Sequence, residues 1–320
     1  MKLIDCFMYF DEDVVLDIRL NTLYKHVDKF VIGEATKDHA GKPKELNFKF
    51  ENFSKFKDKI EYLIIDDLPK VVRSFKKGWH NNHLRDQFQR NALERGYNKF
   101  SGEDLIMISD IDEIPDPNKI KEFKIDNKFA CFLQKNFQSK INLLNISQSD
   151  WAGTKICQKK YLKSPQWLRD LKFKKYPFWR FDKIKNIQII KDGGWHFAYL
   201  QSPENISKKI KSFAHGEFNK NEIANEENIK LKIEEGQDIF NRGYGLKKVE
   251  DNEKNAFVVQ RRSIVAKRNL KAGTKISEKD LDYLRPCPEG SFHPYQKELL
   301  IGKELKKEKK QNESFLKSDI

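Results

Sequence analysis

This chain has no G-x-x-x-x-G-K-[ST] phosphate loop, and no G-x-G-x-x-G, G-x-S-x-G or H-E-x-x-H. Those absences remove the P-loop ATPase, dinucleotide dehydrogenase, serine hydrolase and zincin readings, because each chemistry needs its own spacing of glycine, nucleophile or ligand. Cysteine is scarce: Cys6, Cys131, Cys157 and Cys287 show no C-x-x-C pairing and no regular spacing. The expectation is free, buried thiols in a reducing compartment. Long apolar runs are missing too. Met1 to Tyr9 is apolar for too few residues and runs straight into Asp11-Glu12-Asp13. No signal peptide or transmembrane span is therefore expected, and the chain reads as cytoplasmic, with peripheral contact at the inner membrane face open to it.

What is present supports a sizeable core. The 320 residues suffice for one large α/β domain and a small one, and 38% are hydrophobic, with 24 phenylalanines. The net charge of +14 invites a nucleic-acid reading. Its carriers are mostly lysines scattered along the chain among abundant Asn and Ile, so no nucleic-acid partner is expected. A basic surface still suits an anionic membrane or an acidic glycan.

Alternating β and α patterns run through the first 240 residues. Strands are expected at Lys2–Phe10, Phe30–Ile32, Ile60–Ile65 and Leu105–Ile108, with helices at about Val14–Lys25 and Leu84–Gly96. Further strands are expected at Phe129–Asn136 and Ile156–Tyr161; another apolar run, Ile187–Ile190, precedes Gly193-Gly194-Trp195-His196-Phe197, and a polar helical stretch, about Pro203–Ile239, follows. The alternation predicts an α/β fold with a doubly wound, mostly parallel sheet. Gly243 to Asn255 is charged and glycine-bearing, and marks the domain boundary. Beyond it, Lys271–Leu281 aligns with Lys310–Ile320 as an internal repeat, each copy holding a turn (Gly273 or Asn312), an apolar residue and an Asp-apolar ending. A pseudo-two-fold module of short strands and turns is the expectation.

The chemistry concentrates at Ile108-Ser109-Asp110-Ile111-Asp112-Glu113-Ile114-Pro115. An apolar strand breaks into three acids where open α/β sheets place their ligands. Asp110 and Asp112, two apart on extended chain, point the same way. Such a pair repels unless a cation lies between, and hard oxygens suit Mg²⁺ or Mn²⁺. The plain alternative is a solvated acidic turn with Asp116 capping the next helix. His196, after Gly193-Gly194-Trp195, is the candidate third metal ligand. On the Leu84–Gly96 helix, Arg85 and Gln89 are i,i+4 neighbours, as are Asp86 and Arg90, a face suited to diphosphate. Glu34 sits at a strand end where it suits a base or a ribose hydroxyl.

Several of these residues come in the order and spacing of a known family: Glu34-Ala35-Thr36-Lys37, Gly41-Lys42-Pro43, Trp79, Arg85, Gln89-Arg90-Asn91-Ala92, the Asp110–Pro115 run and Gly194-Trp195-His196-Phe197. Over about residues 1–250 the chain resembles glycosyltransferase family 17. The resemblance implies a GT-A fold, a UDP-sugar donor (N-acetylglucosamine in the characterised members), inversion at the anomeric carbon, and a glycan or glycolipid acceptor. On that reading Asp112, with Asp110 and His196, holds the divalent metal, and Glu34, Arg85, Gln89, Arg90 and Asp110 contact the donor. Glu113, Asp192 and Glu217 are the candidate bases, and Trp195 and Arg285 face the acceptor. Residues 258–320 resemble the antifreeze-like SAF domain of sialic acid synthases, through Arg261-Arg262-Ser263-Ile264-Val265-Ala266, Leu270–Gly273, Asp280-Leu281, Arg285-Pro286, Gly290 and Ile301-Gly302-Lys303. A non-enzymatic glycan-binding protein on a degenerate transferase is the alternative, against which the intact acid triplet argues.

Overall fold

The computed structural model describes residues 1–69, 79–172, 177, 179–180, 184, 187–212, 221–249, 262–288 and 290–320. The chain divides into two compact units, Met1–Lys248 and Val249–Ile320.

In the first unit the elements run β1 (Leu3–Met8), α1 (Asp13–Leu23), β2 (Lys29–Ala35), β3 (Ile60–Ile65), α2 (Trp79–Ala92), α3 (Glu94–Tyr97), β4 (Leu105–Ser109), β5 (Glu113–Pro115) and α4 (Pro117–Ile120). They continue with β6 (Phe129–Gln138), β7 (Leu143–Asn145), β8 (Asp150–Gln158), α5 (Pro165–Asp170), β9 (Ile187–Ile190), β10 (Gly194–Ala198), α6 (Pro203–Ser212), α7 (Asn221–Ala224), α8 (Glu226–Glu235) and β11 (Leu246–Lys248). One sheet has the order β11-β7-β6-β8-β4-β1-β2-β3, with β9 and β10 also paired to β6 and β5 paired to β10. The β3-β2-β1-β4 half is parallel, as the βα alternation predicts. At β4 the direction changes, since β8 runs antiparallel to β4 and to β6.

β4 is buried along its whole length, Leu105-Ile106-Met107-Ile108-Ser109, because it is a central strand covered on both faces. Ile4, Cys6, Ile106 and Ile108 form a core with Val31, Leu93 and Tyr97. All four cysteines are buried thiols outside any disulfide. Asp116 caps α4 by accepting from Asn118 N, with Pro117 opening the helix, so the capping role coexists with the acid turn. Among the described residues, the stretch after Pro203 holds three short helices, α6 to α8, around Ile206, Ile210, Ala224, Ile229, Ile239 and Phe240. Among the described residues no helix is long and apolar enough to cross a membrane.

The second unit holds the antiparallel pair β12 (Ser263–Ala266) and β13 (Leu281–Leu284), over a core that includes Ile264, Leu270, Ile276, Phe292, Leu300 and Phe315. The repeat is physical. Gly273 and Asn312 both take left-handed φ, 81° and 67°, Ile276 and Phe315 are both core, and Asp280 and Asp319 close matching turns by accepting from Ser277 N and Leu316 N.

Candidate active site

The acidic turn at the carboxyl end of β4 takes its shape from a buried arginine. Arg19, on α1, is fully buried and pairs twice with Asp5 of β1, Nε to Oδ2 at 2.8 Å and Nη2 to Oδ1 at 2.6 Å. Its Nη1 donates to the carbonyls of Asp110 (3.1 Å), Ile111 (3.1 Å) and Glu113 (2.9 Å), and Nη2 also reaches Ser109 Oγ. One guanidinium thus satisfies carbonyls that a tight turn would otherwise bury without partners.

The three acids then divide. Glu113 is buried and both its oxygens are engaged: Oε1 accepts from Trp151 Nε1 and from Arg169 Nη2, both at 2.6 Å, and Oε2 accepts from the Asp110 amide at 3.1 Å. Asp110 accepts from Arg90 at 3.1 Å and from Arg169 at 2.9 Å. Burial works to raise its carboxyl, but Arg169 and then Arg90 overcome this and hold it far below the usual carboxylate range. Asp112 has no such partner. Among the described residues its carboxylate accepts no hydrogen bond, and the nearest basic side chain is His196, whose Nε2 is 3.8 Å from Oδ2. Burial raises its carboxyl, His196 and Lys209 pull it down, and Asp110 and Glu113 push it up again, with a net upward shift.

His196 arrives from far along the chain. β10 lies antiparallel to β5, pairing Gly194 with Pro115, Trp195 with Ile114 and His196 with Glu113. Gly194 has φ 130°, and a Cβ there would stand 2.2 Å from Ile114 O. Only glycine lets the strands close. The His196 ring stacks on Trp151, with centroids 4.4 Å apart and planes 17° apart.

Asp110, Asp112, Trp151 and His196 face a cavity of about 470 Å³ at the carboxyl ends of β1, β2 and β4, walled also by Tyr9, Glu12, Lys37, His39, Gln89, Arg90, Tyr199 and Lys209, among others. Lys209, from α6, pairs with Glu12 at 2.7 Å. Burial alone would lower its ammonium, but Glu12 and then Asp112 raise it.

The cavity therefore brings together Gln89, Arg90, Asp110, Asp112 and His196 of the residues expected from sequence. Others stand elsewhere. Glu34 is buried and taken up by its own chain, accepting from Lys44, Asn47 N, Phe48 N and the Tyr62 hydroxyl. Arg85 donates to His39 O and lies against Gly41, so it holds the loop after β2. Glu113 sits behind the wall. Trp195 alternates with His196 along β10, which directs it to the other side of the sheet. Asp192 is exposed, at φ 48°, and pairs with Lys135 at 3.1 Å. Glu217 lies outside the described residues, and Arg285 follows β13 in the second unit. Asp110, Asp112 and His196 do not converge as three ligands: among the described residues there is no cluster of three or more His, Cys, Asp or Glu able to hold a metal ion, and Asp110 is engaged by Arg90 and Arg169. Asp112 and His196 remain a two-donor set, which fits a hard divalent cation that completes its shell with phosphate oxygens and water.

Arg19, Asn136, Trp151, Arg169 and Lys209 were not among the expected site residues. A signal for Arg19 exists: with Val15 and Leu23 it forms an i,i+4 row on the buried face of α1. Lys209 and Arg169 are two among many basic residues, with nothing local to mark them.

An acid-bearing cavity at the carboxyl ends of parallel strands defines the α/β class that binds ligands at the edge of its sheet. The chain belongs to glycosyltransferase family 17, whose model matches residues 1–243, and residues 261–320 match the SAF domain. It is similar to the β-1,4-mannosyl-glycoprotein 4-β-N-acetylglucosaminyltransferases of Homo sapiens (24% identical over 226 residues) and Mus musculus (22% over 231 residues), in each case over 64% of this chain. The chain spans 42% of the length of the human relative and 41% of the mouse one. Among solved structures it is similar to S. aureus TarS 1-349, at TM-score 0.34 and 15% identity, over 66% of this chain and 64% of that one.

Proposed function

We propose that this protein is an inverting, metal-dependent glycosyltransferase that moves a sugar from a UDP-sugar donor to a glycan or glycolipid acceptor. The donor sugar, by analogy with the relatives, is N-acetylglucosamine. The observation that carries the reading is Asp112, a cavity carboxylate in a family 17 domain with its lone pairs uncommitted and His196 beside it. Asp112 and His196 would hold Mn²⁺ or Mg²⁺, which when bound supplies charge neutralisation for the departing diphosphate. Lys209 stands beside Asp112 and adds positive charge on the same wall. Asp110, fixed as an anion by Arg90 and Arg169, is oriented to accept from a ribose hydroxyl. Glu113 orients rather than abstracts: both its oxygens are engaged by the chain itself, Oε1 by Trp151 and Arg169 and Oε2 by the Asp110 amide. The SAF unit is assigned to acceptor selection.

UDP release from a panel of UDP-sugars, with and without EDTA, tests the reading. Turnover of UDP-N-acetylglucosamine that EDTA abolishes and Mn²⁺ restores is the expected result. Turnover unchanged in EDTA would remove the metal, and no release from any UDP-sugar would remove the donor class.

A further inference from the structure

His196 has two ring nitrogens, and the chain determines which of them can face a cation. β6 runs parallel to β10 with His196 opposite Asn136. His196 Nδ1 lies 3.1 Å from Asn136 Oδ1. The orientation of that amide is itself determined, because Asn136 Nδ2 lies 3.0 Å from the backbone oxygen of Gln148. A carbonyl oxygen only accepts, so the amide group toward Gln148 is the NH₂, and the group toward His196 is the oxygen. An oxygen also only accepts, so His196 Nδ1 carries the proton. In neutral imidazole Nε2 is then a bare lone pair. That lone pair faces the Asp112 carboxylate across 3.8 Å. Two acceptors at that separation are unfavourable alone and favourable around a cation. Asn136 and His196 are both buried, at 2% and 8% exposed, and the stack on Trp151 fixes the plane of the imidazole, while the contact with Asn136 decides which edge of the ring faces the amide.

We propose that Asn136 is a positioning residue that holds His196 as the Nδ1–H tautomer and so presents the Nε2 lone pair, beside Asp112, to a divalent cation. This inference rests on the metal reading above. Removing the acceptor at position 136 frees Nδ1 and Nε2 to exchange the proton, and loss of such an orienting partner weakens metal binding by about 10–100-fold.

The test uses full-length protein labelled with ¹⁵N-histidine, at about pH 8. Long-range ¹H–¹⁵N correlation in EDTA reads the tautomer, and His196→Gln identifies the signal by its loss. Wild type should show Nδ1 protonated and Nε2 bare. Mn²⁺ affinity in the presence of UDP, from the electron paramagnetic resonance of free Mn²⁺, should fall about 10–100-fold in Asn136→Leu. Asn136→Asp, which keeps an acceptor toward Nδ1, should stay within a few-fold of wild type. Protonated Nε2 in the metal-free wild type overturns the inference while leaving the metal reading intact if Mn²⁺ still binds. Asn136→Leu binding Mn²⁺ like wild type also overturns it. Wild type that binds no Mn²⁺ with UDP overturns the metal reading and the inference with it. If Asn136→Leu fails to fold, the wild-type tautomer and Asn136→Asp decide.

Discussion

Replacing Arg19 with methionine removes one side chain and disturbs two different structures. Asp5, at 0% exposed, would keep its carboxylate and lose both guanidinium hydrogen bonds. Breaking a buried ion pair from one side costs about 3–5 kcal/mol, because the remaining charge is uncompensated. The carbonyls of Asp110, Ile111 and Glu113 lose their donor as well, which adds to the cost without summing bond by bond. A loss of about 4–6 kcal/mol is the expectation. For a unit of this size each kcal/mol moves the midpoint by about 2–4 °C, so the melting point should fall by at least 8 °C or so. All five tryptophans, Trp79, Trp151, Trp167, Trp179 and Trp195, lie before residue 249, so tryptophan fluorescence follows the first unit alone. The control is the double variant Asp5→Leu/Arg19→Met, which removes the stranded charge and leaves only the carbonyls unpaired. It should recover about 2–3 kcal/mol relative to Arg19→Met. A single variant within about 1 kcal/mol of wild type, or a double variant less stable than the single, would refute the account of Arg19 as the group that neutralises Asp5 and closes the turn.

Asp112→Asn should abolish Mn²⁺-dependent UDP-sugar binding and, in EDTA, raise the melting point at neutral pH. The sign follows from the upward shift of Asp112: its ionised form is disfavoured in the folded state, so the variant's advantage is full above the folded pKa and vanishes below the unfolded value of about 3.9. Equal melting points at pH 7 would contradict it. Trp151→Phe keeps a ring against His196 but withdraws the donor from Glu113 Oε1. We expect a loss of about 1–2 kcal/mol in urea unfolding, with kcat falling more than donor KM rises; unchanged kinetics would show that the Glu113 bond is structural only. Deleting residues 258–320 should leave the first unit folded, since its core and sheet are complete without them, and an insoluble product or a lost cooperative fluorescence transition would show that the units share a core.

Much of the fold is readable because burial writes itself locally. β3 matches its expected bounds, Ile60–Ile65, and the apolar run Ile187–Ile190 forms β9, since short apolar runs between turn residues have few other homes. The reversal of direction at β4 is not readable. Parallel and antiparallel partners of a buried strand present the same apolar pattern, and the choice depends on contacts between residues far apart, such as Ile106 with Cys157. At the site, Asp112 and His196 could be named separately, but their approach depends on the β5–β10 register. Glu34 illustrates the opposite failure. An acid at a strand end looks the same in sequence whether a ligand or its own loop satisfies it, and here Lys44, Asn47, Phe48 and Tyr62 take every lone pair. Arg90 reads as a phosphate-binding residue for the same reason, yet Asp110, a carboxylate of the chain itself, is within its reach.

The pairing of Gly194 with Pro115 has a consequence for heredity. The acid run and the Gly-Trp-His run lie about eighty positions apart in the gene but form one mechanical joint. A side chain at 194 would strike the backbone at Ile114, Pro115 and Asp116, pushing His196 off the carboxylate it serves. Lengthening the chain between the two runs, in the turn between β6 and β7, leaves the joint intact, whereas a single-residue insertion between Gly194 and His196 would reverse which face the imidazole occupies. Descendants of this gene should therefore vary freely in spacing and hardly at all in register, and a lineage that loses Gly194 should be found to have lost the use of Asp112 as well.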